Sequence, residues 1–145
     1  MKVILLIISL FLCGITNATT YYISPTGNDA TGNGSAANPW KTLFKATSTV
    51  TGTGDIIHVN AGTYTETQTC NLAIGVSIEG DGMNTSIVKS SVSGQWSAFL
   101  MLESQTNGTN GNQSISNITF DGQYVSETNY KTWMGIWVVA RNNVE

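Results

Sequence analysis

Gly54-Asp55-Ile56-Ile57-His58-Val59-Asn60-Ala61-Gly62-Thr63-Tyr64-Thr65-Glu66 is the stretch that decides the fold, and Gly75-Val76-Ser77-Ile78-Glu79-Gly80-Asp81-Gly82 repeats its opening. A short β-branched run is bounded by Gly and Asn, and a Thr/Tyr run follows. Runs of four to eight such residues between turn formers read as strands. Alternation turns Ile57 and Val59 to one face and His58, the single histidine, to the other.

Outward from this stretch the unit recurs. Ile56–Val59 with Tyr64–Glu66, Val76–Glu79 with Ser86–Lys89, and Phe99–Glu103 with Ser116–Phe120 read as three strand–turn–strand units, and Ile136–Ala140 opens a fourth. Regularly spaced short strands also suit a sandwich or barrel. Repetition of one unit, with no two-residue Asn-Gly hairpin joining alternating runs, favours a stack of coils. The expected fold is therefore all-β, a parallel β-helix. Within it, Ser116-Asn117-Ile118-Thr119-Phe120 is echoed by Asn142-Asn143-Val144-Glu145, which predicts Asn117 stacked on Asn143 with their amides hydrogen-bonded.

Upstream, Tyr21-Tyr22-Ile23-Ser24 reads as a first strand and residues 25–37 as a Gly/Asn/Ala-rich loop. Asn38-Pro39 has the form of a helix start, with Asn as N-cap and Pro in the first helical position. Trp40, Leu43, Phe44 and Thr47 follow at i, i+3, i+4 and i+7, predicting an amphipathic helix to Thr49. This helix would cap the first coil. A coil stack also needs a cap at its other end, and the pattern stops inside a strand. The expectation is an N-terminal fragment of a longer protein.

Residues 1–18 have the form of an export signal: Lys2, an apolar run from Val3 to Cys13, and Thr16-Asn17-Ala18 as small-residue cleavage site. Cleavage is expected after Ala18 and the address is extracellular. The apolar run is too short to span a membrane. The expected organisation is a signal over 1–18, a strand, loop and capping helix over 19–54, and β-helix coils over 55–145. Only Cys70 remains once the signal is removed, so no intramolecular disulfide framework exists. Charged residues make up 10% of the chain, against about 25% in ordinary domains. Thr, Ser, Asn and Gly take their place. A net charge of −3 argues against nucleic acid, which needs a cationic footprint.

The chain resembles the N-terminal region of right-handed parallel β-helix proteins of the pectate-lyase-like superfamily. The residues that carry this are Tyr22-Ile23-Ser24-Pro25-Thr26-Gly27-Asn28-Asp29, Asn38-Pro39-Trp40-Lys41-Thr42, and Gly54–Val59 with Ala61-Gly62-Thr63-Tyr64. Ala61–Glu66 and Glu79–Gly82 with Thr85–Val88 are also similar to the opening of pectin methylesterases, although no residue here matches that family's catalytic motifs. The resemblance implies a scaffold shared by lyases, hydrolases, esterases and surface proteins, so function must be argued from the site. The leading expectation is a secreted protein that binds or acts on polysaccharide as a lyase or glycoside hydrolase, with its active site mostly beyond residue 145. The alternative is a non-catalytic, adhesin-like surface protein.

Candidate site residues follow from this chemistry. Glu79, Glu103 and Asp121 close strands, and stacked carboxylates are a Ca²⁺-binding or acid-pair arrangement. Arg141, after the aromatic strand, could serve as lyase base or carboxylate clamp. Trp133 and Tyr130, which share the second half of the chain with Trp96, Trp137 and Tyr124, are candidate platforms for sugar rings. Asp55 and Asp81 beside glycines read as local turn residues.

Overall fold

The computed structural model describes residues 17–92, 98–123 and 134–145. Twelve strands are described: β1 (Thr20–Ile23), β2 (Ile56–Val59), β3 (Gly62–Glu66), β4 (Cys70–Asn71), β5 (Ser77–Gly80), β6 (Ser86–Ser90), β7 (Ala98–Glu103), β8 (Thr109–Gln113), β9 (Ile115–Ser116), β10 (Thr119–Asp121), β11 (Met134–Val139) and β12 (Arg141–Val144). The described helix, α1, spans Leu43–Thr49. The protein is mostly β, and its strand pairs are parallel.

Apart from β1 with β2, strands consecutive in sequence do not pair with each other. They are dealt in turn to four sheets, ordered β1-β2-β5-β9, β10-β6-β3, β11-β7-β4 and β12-β8. The sheets are thus visited in the same order three times, over β2 to β4, β5 to β8 and β9 to β12, each such pass termed a circuit. Equivalent strands align closely, Ile56 with Ser77, Gly62 with Ser86 and Cys70 with Leu100. Like residues consequently form columns. Tyr21, Ile57, Ile78 and Ile115 make one, Tyr64, Val88 and Phe120 a second, and Cys70, Leu100 and Ile136 a third. Ile57, Ile78, Val88, Cys70 and Leu100 are fully buried. Each large apolar side chain removed from water in this way contributes about 1.5–3 kcal/mol. Phe99 closes the gap between two sheets, meeting Phe120 edge-on with centroids 5.2 Å apart. At one corner Gly80 is required by close approach, because a Cβ there would lie 2.3 Å from the Asn117 carbonyl oxygen.

The helix begins later than the Asn38-Pro39 signal predicts. Trp40 is not helical: its N–H donates to the Tyr22 carbonyl (3.1 Å) and its carbonyl accepts from Ser24 N–H (2.8 Å), extending the ladder beside β1. Its indole Nε1–H donates to the Gly32 carbonyl (2.9 Å) and its ring stacks on Tyr21. Burial of this large ring against β1 outweighs the local start signal. Thr42 is the N-cap instead, accepting from Lys45 N–H (3.1 Å).

Two strands escaped the sequence reading. Cys70–Asn71 and Thr109–Gln113 are short, polar or both, and only their ladder partners reveal them, while the strand in which the pattern stops is observed as Arg141–Val144. The assignment of strands to units also changes. Phe99–Glu103 does not open a third unit; as β7 it belongs to the second circuit, which β8 completes. Ser116–Phe120 is two strands broken at Asn117, whose φ is +56°. Asn117 and Asn143 consequently lie on different sides of the circuit. Asn143 instead donates to the Asn110 side-chain oxygen at 2.9 Å, because β12 pairs with β8, Asn142 beside Asn110. Asn112 and Asn143 both have left-handed backbone, φ +46° and +50°. Asn adopts that conformation more readily than other non-glycine residues, which gives the repeated Asn a backbone cause.

Candidate functional site

The outward face of the β1-β2-β5-β9 sheet gathers the chemistry-bearing side chains. Strand register places Tyr22 beside His58, His58 beside Glu79, and Glu79 beside Ser116. This row lies opposite the buried positions Ile57, Val59 and Ile78, as alternation requires. The Tyr22 ring tilts against the His58 ring with centroids 5.3 Å apart.

Asp81, just past β5, fixes the imidazole. Its Oδ1 meets His58 Nε2 at 2.9 Å, and its Oδ2 accepts from Ala61 N–H at 2.6 Å. Ser86 holds the Asp81 backbone: its Oγ accepts from Asp81 N–H (2.9 Å) and donates to the Val59 carbonyl (2.8 Å). The Ala61 N–H bond, followed by the His58 interaction, holds the Asp81 carboxyl below its ordinary pKa. An ionised carboxylate can only accept, so neutral His58 carries its proton on Nε2 and presents Nδ1 as an acceptor. Asp81 therefore ties neighbouring circuits together, where the sequence reading had it serving its own turn.

Glu79 belongs to this row and is exposed. The other two strand-end acids do not join it. Glu103 is on β7 and Asp121 on β10, in two further sheets. Asp121 accepts from Gln123 N–H (2.9 Å) and lies 4.0 Å from Lys89 Nζ. Strand ends that are adjacent in the sequence pattern face different directions around the circuit, so no stack of three carboxylates forms. Among the described residues no group of three or more His, Cys, Asp or Glu could hold a metal ion.

Arg141 is committed to the protein's own oxygens. Its Nε donates to Ser104 Oγ (2.9 Å), Nη1 to the Leu72 carbonyl (2.8 Å) and Gln113 Oε1 (2.9 Å), and Nη2 to the Glu103 carbonyl (2.6 Å). Four bonds take most of a guanidinium's five donors, which makes Arg141 a clamp across circuits. Trp133, Tyr130, Trp96 and Tyr124 lie outside the described residues. Trp137, on β11 beside Met101, keeps 37% of its surface exposed. A polar groove of about 480 Å³ runs along Ser77, Asn112, Gln113, Ser114, Asn143 and Glu145, at the margin of the sheet that carries the His58 row.

Sequence reasoning missed Tyr22, Ser116 and the reach of Asp81. Alternation in β1 could have placed Tyr22 outward, but only register puts it beside His58. Among the described residues no helix is long and apolar enough to cross a membrane. Comparison with curated proteins and with solved structures finds no match. The family model described as "Protein of unknown function (DUF1565)" matches residues 25–142, most of the chain and all of the strands that form the His58 row except β1, and the protein belongs to that family.

Proposed function

We propose that this protein is a secreted right-handed parallel β-helix, of the pectate-lyase-like kind, that binds polysaccharide along the outer face of its β1-β2-β5-β9 sheet. The row Tyr22–His58–Glu79–Ser116 carries this reading. Parallel strands about 4.8 Å apart repeat side chains at a fixed pitch, which suits a linear polymer laid across them. Tyr22 offers an aromatic face for a sugar ring. His58 Nδ1, Glu79 and Ser116 offer acceptors and a hydroxyl for sugar hydroxyls. The scarcity of charge, 10% of residues, agrees with a surface built for neutral hydrogen bonding. Catalysis of the lyase or hydrolase type is a further step on the same face.

The alternative, a non-catalytic adhesin-like scaffold, is favoured by the separation of Glu79, Glu103 and Asp121 onto three sheets. One experiment addresses both readings. Wild type, Tyr22→Ala and His58→Ala are titrated with polygalacturonate, alginate and xylan, while unsaturated-product absorbance is followed with and without EDTA. Binding should weaken about tenfold in each variant, or about 1.4 kcal/mol. Equal affinity in all three proteins would remove the site. Binding without absorbance would favour the scaffold over a lyase.

A further inference from the structure

Asp55 is a buried carboxylate with an incomplete set of partners. It precedes β2 and retains 9% of its surface exposure. Its Oδ1 accepts from Thr19 N–H at 2.9 Å. The same residue is held from its other side, where the Thr19 carbonyl accepts from Ile56 N–H at 2.9 Å. Among the described residues the contacts within 4.0 Å between a basic and an acidic side chain are His58–Asp81 and Lys89–Asp121, and neither involves Asp55. Burying an ionised carboxylate is costly unless it is both paired and hydrogen-bonded. One backbone N–H meets only part of that need, since a carboxylate offers about four acceptor sites.

The missing cation has an evident source in the chain itself. Thr19 is the residue that follows the expected cleavage site, and Asn17 and Ala18 ahead of it are exposed and carry no regular structure. We propose that hydrolysis after Ala18 creates an α-ammonium group on Thr19 that pairs with Asp55 and fastens β1 to the first circuit. Water adds across the Ala18–Thr19 amide: the acyl carbon leaves as the Ala18 carboxylate, and the Thr19 nitrogen takes up protons to become an ammonium. A signal-type peptidase supplies the catalyst. The nitrogen that donated one neutral hydrogen bond then carries a positive charge and three donors at the same position. Charge-assisted bonds are about twice as strong as neutral ones. Processing is thereby coupled to the docking of β1, whose Tyr22 belongs to the proposed binding row.

The inference rests on reading residues 1–18 as an export signal, and the test separates the two. The full chain is exported from a bacterial host, its intact mass is measured, and the Thr19 α-amino group is titrated by NMR. The expected result is an N-terminus at Thr19 whose pKa lies well above the ordinary ~8, returning to that value in Asp55→Asn. A Thr19 N-terminus with an ordinary pKa would overturn the ammonium–Asp55 pair and leave export standing. A different N-terminus would overturn both. Should Asp55→Asn fail to fold, a wild-type chain retaining Asn17-Ala18 takes its place. Its melting temperature should fall about 5 °C below that of the chain beginning at Thr19, and equal values would overturn the pairing.

Discussion

Glu66 shows how a single buried group links helix and sheet. It lies on β3 at 1% exposure, yet its oxygens accept from Leu43 N–H (2.7 Å) and Phe44 N–H (3.2 Å) at the start of α1. Burial raises its pKa; the two N–H bonds oppose this and nearby Asp29 adds to it. A carboxyl with a raised folded-state pKa binds its proton more tightly when folded. Its favourable contribution is therefore complete below the unfolded value of about 4.3 and is lost as pH rises through the folded pKa. Glu66→Gln removes that slope. Urea denaturation at pH 4 and pH 8 should show the variant gaining stability relative to wild type as pH rises. A gain on going to acid instead would mean that the charged carboxylate's bonds to the helix outweigh its burial. Cys70, fully buried in the neighbouring strand, has its thiol pushed up by burial first and by Glu66 second. It remains protonated and should react with a thiol reagent only when the protein unfolds.

At the scale of elements, α1 is short, and its position owes more to its surroundings than to its own sequence. Seven residues are too few for a helix to be stable alone. Thr42 caps it through Oγ1, which also donates to Asp29 Oδ2 (2.8 Å), while Asp29 Oδ1 accepts from Lys41 and Thr42 N–H. Thr42→Ala should cost about 1 kcal/mol in urea denaturation. An unchanged midpoint would mean that Asp29 and Glu66 suffice to hold the helix start. The strands were more legible than the helix. Ile56–Val59 is observed with the bounds that alternation gave it, because one face is buried throughout. Thr109–Gln113 has no apolar alternation, and Asn112 within it has a left-handed backbone. Nothing local marks it as a strand.

For the molecule as a whole, the columns running across circuits unify the sheets. Leu100 occupies the middle of one, between Cys70 and Ile136, and is fully buried. Leu100→Ala should destabilise by about 2–5 kcal/mol through lost transfer energy and a cavity. Lys89→Ala, on the outward face, should change stability by less than about 1 kcal/mol despite its contact with Asp121. Comparable losses in the two variants would argue against the columns as the source of stability. Of the candidate site, the outward direction of His58 and the strand-end position of Glu79 were legible. Their adjacency, the Asp81 brace, the dispersal of Glu103 and Asp121, and the internal commitment of Arg141 were not. By itself the sequence determined a chain of short strands with one apolar face, because side-chain alternation and Gly/Asn turns are local properties. Only the tertiary structure decided which strands lie side by side. Register between distant segments is set by packing columns such as Ile57–Ile78, and the row of functional side chains follows from it.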